Sequence, residues 1–267
     1  MAQTSAIINV MVAAARKAAR KLIRDFGEVE NLQVSKKGPA DFVSAADLRA
    51  EEVIHAELAR VRPDFGFLME ERGEIKGRDG INRWVVDPLD GTTNFLHGIP
   101  HFAISIAHQS GNEILAGVVF DPLRDEMFTA EKGAGAFVNG GRIRVSARQN
   151  IAEAVLGTGI PFKGRPGHAE FLGHLEAVTE RVAGVRRLGS AALDLAYVAA
   201  GRFEGYWESD VQPWDVAAGL VLVREAGGLV GALTKGGDPL TAGDILASNA
   251  YLYDAMKELL ETNEVRV

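Results

Sequence analysis

The sequence predicts a layered mixed fold: an α+β unit over residues 1–145 built on an antiparallel sheet, then a smaller α/β unit over 146–267 packed against it. Three observations carry this. Two helical patterns precede a run of strands joined by glycine and asparagine turns, which is how a hairpin-rich sheet reads. Beyond about Ser146, short apolar runs alternate with helical stretches closed by glycine, the texture of an α/β layer. Finally, 47% of the 267 residues are hydrophobic, ample for a buried core, and neither a linker nor a low-complexity tract divides the chain.

Taken in order, the apolar run Ala6 to Ala15, broken by Asn9, opens an amphipathic helix that ends near Phe26 and Gly27. Leu32 to Ser35 is a strand by its apolar content, and Asp41 to Asp47 opens a second helix running to about Arg60, with Ser44 at the N-cap. Phe65 to Met69 and Trp84 to Val86 are short strands that both end in acids, Glu70-Glu71 and Asp87. Residues alternate from Phe102 to Ala107, and Ile114 to Phe120 forms another strand. Glu126 to Ala130 and Ala136 to Val145 flank the Asn139-Gly140-Gly141 turn. In the second half, Val155 to Thr158, Val185 to Leu188, Gly205 to Glu208, Leu229 to Leu233 and Ile245 to Ser248 read as strands. Helices fall between them at Gly167 to Ala183, Ser190 to Ala200 and Trp214 to Ala226, and Tyr251 to Glu261 closes the chain. Gly201 and the Gly227-Gly228 pair stand where helix ends favour glycine.

The chemistry concentrates in Trp84 to Asn94, WVVDPLDGTTN. Pro88 fixes its own φ and holds Asp87 extended, so Asp87 and Asp90 converge with the Leu89 carbonyl between them. Carboxylate and carbonyl oxygens are the ligands that Mg²⁺ takes, whereas zinc prefers nitrogen and sulfur. Gly91 then permits close backbone approach, and the N–H groups of Thr92, Thr93 and Asn94 open a helix whose start suits an anion. Cation ligands and an anion cradle in one loop point to a phosphate bridged by metal. An Asp-Pro turn before a capped helix would explain one acid and the threonines but not both acids. Glu70 falls beside Asp87 if the two strands are neighbours, although EERGE also suits a solvated turn. Glu208 ends a strand, and Asp215 stands in the first turn of a helix, where an acid is ordinarily a cap or dipole partner. The same holds for Asp47. The six histidines lack paired ligand spacing and receive no role.

Charge and composition exclude other classes. A net charge of -7, with no basic cluster interleaved with aromatics, argues against a nucleic-acid surface. Cysteine is absent, which removes disulfides, thiolate metal sites and cysteine nucleophiles. No apolar run is long enough to span a membrane. Arg16, Lys17, Arg20 and Lys21 follow the first apolar run rather than preceding it, the reverse of a secretory signal, so a cytoplasmic location is expected.

Four ordered motifs now converge. Glu70-Glu71 after a strand, DPLDGTTN from Asp87 to Asn94, GSAALDLAYVAAG from Gly189 to Gly201, and PWDVAAG from Pro213 to Gly219 resemble the inositol monophosphatase family of metal-dependent, lithium-sensitive phosphatases, over nearly the whole chain. The third motif is most similar to the bacterial branch. The resemblance implies a layered αβαβα sandwich shared with fructose-1,6-bisphosphatase, a small phosphate-ester substrate, a homodimer, and two or three Mg²⁺ ions per site. It further implies that Glu70, Asp87 and the Leu89 carbonyl bind one ion, that Asp87, Asp90 and Asp215 bind a second, and that a looser third lies near Glu70. Gly91 and Thr92 would contact phosphate, while Glu208 and Asp90 would contact substrate hydroxyls beside Gly189, Ser190 and Ala191. Asp47 would orient Thr92, and Lys36 would lie on a loop near the metals. Met69 stands where many members have glycine.

Resemblance and ligand chemistry together imply in-line attack on phosphorus by a water deprotonated with help from Glu70 and Thr92. Two ions about 3.5 to 4 Å apart would assist, with no covalent intermediate. The same scaffold serves fructose-1,6-bisphosphate, 3'-phosphoadenosine, histidinol-phosphate and NADP phosphatases. Thr93-Asn94 favours the inositol branch over the phosphoadenosine branch. A regulatory binding role with secondary phosphatase activity is the competing class.

Overall fold

The structure is a computed structural model and describes residues 5–28, 34–38 and 41–261, with the side chains of 34–38 and 41–44 outside that description. Helices α1 (Ala6–Phe26) and α2 (Ala45–Val61) lie at the N-terminal end. Ser5 caps α1 by accepting from Ile8 N. Between the helices, β1 (Val34–Gly38) and β2 (Asp41–Ser44) pair antiparallel. Strand β1 takes in Val34 and Ser35 of the expected strand, whose residues 32 and 33 lie outside the described residues, and runs on to Gly38. The expected helix start is corrected: Asp41 to Ser44 extends and pairs, so the helix begins at Ala45. The proposed Ser44 cap and the side chain of Lys36 lie outside the described residues.

Strands β3 (Gly66–Met69), β4 (Gly73–Ile75), β5 (Asn82–Asp90), β6 (Ala103–Ser110), β7 (Glu113–Asp121), β8 (Glu126–Glu131), β9 (Gly135–Val138) and β10 (Gly141–Ile143) form one sheet in the order β10-β9-β8-β7-β6-β5-β3-β4. Pairing is antiparallel except between β3 and β5. Strand β4 is absent from the elements the sequence predicts, because Gly73, Glu74 and Ile75 are half-buried or exposed and lack the apolar signal of an inner strand. A short helix, α3 (Thr92–Leu96), follows β5. The second sheet, order β12-β11-β13-β15-β14, contains β11 (Val155–Thr158), β12 (Gly184–Arg186), β13 (Gly205–Ser209), β14 (Gly228–Gly231) and β15 (Asp244–Asn249). Helices α4 (His168–Thr179), α5 (Ala191–Ala199), α6 (Pro213–Glu225) and α7 (Tyr253–Glu261) interleave with them.

Strand periodicity explains the layering. Trp84 and Val86 point into one core with α1 and α2, whereas Val85 between them points into the core made with α5 and α6. Val118 and Phe120 flank Val119 in the same way. In the second sheet Tyr206 and Ala247 face α5 and α6, while Trp207 and Leu246 face the outer cluster with Val178, Met256 and Leu260. Both sheets are therefore buried on both faces, which is why their strands read as nearly continuous apolar runs. The layers run α1/α2, sheet, α5/α6, sheet, α4/α7, the αβαβα sandwich. The middle helix layer belongs to the second half of the sequence but seals the first sheet.

Candidate active site

The parallel register between β3 and β5 sets the first contact. Met69 pairs with Val86, and Glu70 N donates to Val86 O at 3.2 Å, so the next residues, Glu70 and Asp87, leave the sheet side by side. Buried Glu51 of α2 braces this turn, accepting from Glu71 N at 2.8 Å with Arg72 3.4 Å from its other oxygen. On the opposite side of β5 the ladder to β6 slips: Asp87 pairs with Ser105 and Asp90 with Ala103, three residues against two. Residues three apart on a regular strand point to opposite faces, and a bulge reverses that parity. Pro88, with no N–H to lose from the ladder, sits within it. Asp87 and Asp90 consequently line the same cleft.

Each acid is further fixed. Asp87 Oδ1 accepts from Leu89 N at 2.9 Å. Asp90 Oδ2 accepts from Ser190 Oγ at 2.5 Å and from Ala192 N at 2.7 Å, so it caps α5 from a different sheet layer. Asp215 Oδ2 accepts from Gln212 N at 2.8 Å, the cap its position suggested, yet it also lines the cleft. Thr92 Oγ1 lies 3.0 Å from both Asp47 Oδ1 and the Leu89 carbonyl. Gly91, at φ 96°, allows the turn: a Cβ there would lie 3.1 Å from His101 O and 3.2 Å from Gly189 O. Asn94 Nδ2 donates to His101 O and Leu188 O, both at 2.8 Å, tying the loop to the strand that delivers Gly189 and Ser190.

The cleft so formed has a volume of about 180 Å³ and brings together Glu70, Asp87, Leu89, Asp90, Gly91, Thr92, Gly189, Ser190, Ala191, Glu208 and Asp215. Asp47 lies behind it, fully buried, reached through Thr92. No histidine lines it. A larger groove of about 640 Å³ between α1 and β8–β9 lacks this concentration of acids. Tyr206 Oη donates to Glu208, whose carboxylate presses on Gly159. Asp194 and Arg187 also line the cleft, and sequence reasoning passed over both. The signal for Asp194 was present, a lone acid in an otherwise apolar helix four residues after Ser190.

Electrostatics follow from crowding acids away from water. Burial holds the Asp87 carboxyl well above the usual carboxylate range, with repulsion from Glu70, Asp90 and Asp215 adding to it. Burial raises Asp90 from 3.8 to about 6, opposed by the Ser190 and Ala192 hydrogen bonds. Asp215 is pushed well up by burial and then by Asp90. Glu208 rises to about 7 through burial, against the Tyr206 hydrogen bond. Asp90, Glu208 and Asp215 are half-buried, so cleft water softens this cost. An all-oxygen, mutually repelling donor set fits a hard divalent cation, which would relieve the repulsion. Among the described residues no three His, Asp or Glu side chains are already drawn together as a closed cage.

A sequence model of the inositol monophosphatase family matches residues 3–264. An inositol-1-monophosphatase of Rhizobium meliloti is 58% identical over 257 residues, covering 96% of this chain and 97% of that protein. The Nus factor SuhB of Escherichia coli K12 is 43% identical over 250 residues, 94% of each chain. The crystal structure of the extragenic suppressor protein suhB from Bartonella henselae superposes with a TM-score of 0.94 at 54% identity, covering 98% of this chain and all of that one.

Proposed function

Because the chain belongs to the inositol monophosphatase family, a family of metal-dependent phosphatases, we propose that its cleft hydrolyses myo-inositol monophosphate to inositol and phosphate. The observation that carries this is the convergence, in one cleft, of four acids, the Gly91–Thr92 backbone and the polyol-facing acid Glu208. Glu70, Asp87, the Leu89 carbonyl, Asp90 and Asp215 would hold two Mg²⁺ ions, with a third, looser ion near Glu70. Bound there, the ions would supply Lewis acidity and positive charge for an anionic substrate in a chain of net charge -7.

The protein's own groups do the rest. Thr92 Oγ1 can donate its hydrogen bond to Asp47, which leaves its lone pairs to accept from a water in the cleft. Glu70 is the second proton acceptor at that water. The free N–H groups at the start of α3 hold the phosphate oxygens, and Gly91 keeps that backbone open to them. Glu208 and Asp90 accept from substrate hydroxyls against the wall of Gly189, Ser190 and Ala191. No protein nucleophile is required. We place this activity in a cytoplasmic homodimer, testable by light scattering and cell fractionation. Among the described residues no helix is long and apolar enough to cross a membrane.

The test is phosphate release with Mg²⁺ on inositol 1-phosphate, fructose 1,6-bisphosphate, histidinol phosphate, 3'-phosphoadenosine 5'-phosphate and NADP, each with and without Li⁺. Preference for inositol 1-phosphate, lost under Li⁺, is the expected outcome; preference for another ester moves the substrate assignment. The relatives named Nus factor favour one second reading, a regulatory binding protein with secondary phosphatase activity. A stoichiometric partner that co-purifies equally with wild type and with Asp87→Asn would support it.

A further inference from the structure

Helix α5 is buried along its length, from Ala192 to Ala199, and Asp194 is its one charged residue. Ser190, Ala191 and Asp194 share one face, at the i, i+1, i+4 spacing of a helical stripe, and that face lines the cleft. Helical side chains tilt toward the N-terminus, so the Asp194 carboxylate leans back over the first turn, and Asp90 is among the charges that act on it. Asp194 is 1% exposed, and its Oδ1 is buried without a hydrogen-bond partner. A carboxylate in this position costs stability, and its Oδ1 makes no compensating hydrogen bond. The dipole of α5 favours an acid in the first turn but does not satisfy that oxygen.

A second acid, Glu208, lines the same cleft. Glu208 is the charge that most strongly repels Asp194, and Tyr206 and Gly159 fix the Glu208 carboxylate on its own side. Arg187 lines the same cleft and faces both acids as a longer-range counter-charge. Two acceptor groups facing one small cavity form a surface for hydroxyl donors and a hostile one for a further anion. We propose that Asp194 is a specificity-determining residue which, with Glu208, accepts hydroxyl hydrogens from the alcohol part of the ester. The site would thereby select phosphomonoesters of polyhydroxylated, otherwise uncharged alcohols. This rests on the phosphatase reading and adds to it a residue outside the motif acids.

The experiment compares wild type with Asp194→Asn on two esters, myo-inositol 1-phosphate and p-nitrophenyl phosphate, which carries no free hydroxyl, with melting temperature measured alongside. The expected result is a fall of about 10- to 100-fold in kcat/KM for the inositol ester, the scale of one hydrogen bond to a charged group. The nitrophenyl ester should change less than about threefold, and melting should be unchanged or raised. Equal losses on both esters overturn the proposal, as do unchanged kinetics on both. A variant that fails to fold also overturns it, since a substrate contact is not needed for folding. Wild-type hydrolysis of p-nitrophenyl phosphate reports on the phosphatase reading separately; silence on both esters sinks both.

Discussion

Neutralising one cleft acid should make the metal-free protein more stable and the Mg²⁺-loaded protein less so. Asp90 is the best choice, because Asp90→Asn keeps an oxygen that can accept from Ser190 Oγ and Ala192 N, leaving the α5 cap intact. Its carboxyl sits at about 6 in the fold against 3.8 as the ordinary value, about two units. At 1.36 kcal/mol per unit the upper limit is ~3 kcal/mol, and partial contact with cleft water brings it to ~1–2. The folded value is raised, so the fold holds the proton more tightly than the unfolded chain does. The penalty is absent below about pH 4, grows as pH rises toward 6, and is full above it. In EDTA at pH 8, Asp90→Asn should therefore melt roughly 3–6 °C above wild type, a gap that closes at pH 4. Saturating Mg²⁺ should reverse the order. An ion a hundredfold above its Kd stabilises by ~2.7 kcal/mol, and the variant forfeits much of that. A lower melting point for Asp90→Asn in EDTA at pH 8, or equal stabilisation of both proteins by Mg²⁺, would refute the reasoning.

Three further outcomes follow from the same geometry. Asp47→Asn exchanges the charged acceptor of the Thr92 hydroxyl hydrogen for a neutral, weaker one and should lower kcat by up to about 10²-fold, the scale of one positioned acid–base group, with little change in KM or in melting temperature, measured by steady-state kinetics and calorimetry. Gly91→Ala forces a side chain to φ 96° and within 3.1 Å of the His101 carbonyl, so it should cost ~1–3 kcal/mol by urea denaturation and displace Thr92. Glu51→Gln should loosen the turn that presents Glu70. Its expected signature is a higher half-saturating Mg²⁺ concentration with near-normal kcat once Mg²⁺ saturates; unchanged Mg²⁺ dependence would remove Glu51 from the supporting role.

Much of the site was legible because its chemistry is local. Asp87, Pro88, Asp90 and Gly91 fall within five residues, and Pro88 and Gly91 leave the backbone between them few alternatives. The motif at Gly189 and the acid at Asp215 were readable only through resemblance, since an acid in a first helical turn is ordinarily a cap. Asp215 is a cap as well as a cleft acid. Of the paired strands before α2 only the first was expected, and the half-exposed strand β4 was not, because edge pairing leaves little apolar periodicity.

By itself the sequence determined the alternation of elements, the two-sided burial of the inner strands, and the acid-rich loop, each a matter of residue type at short spacing. Only the tertiary structure decided which acids meet. The parallel register of β3 on β5 sets Glu70 beside Asp87, and the slip between β5 and β6 turns Asp90 to the same side. The packing of α5 between the sheets brings Ser190 onto Asp90 and turns Asp194 into the cleft. These are contacts between residues tens to more than a hundred positions apart, fixed by strand pairing and core packing, and no local pattern encodes them.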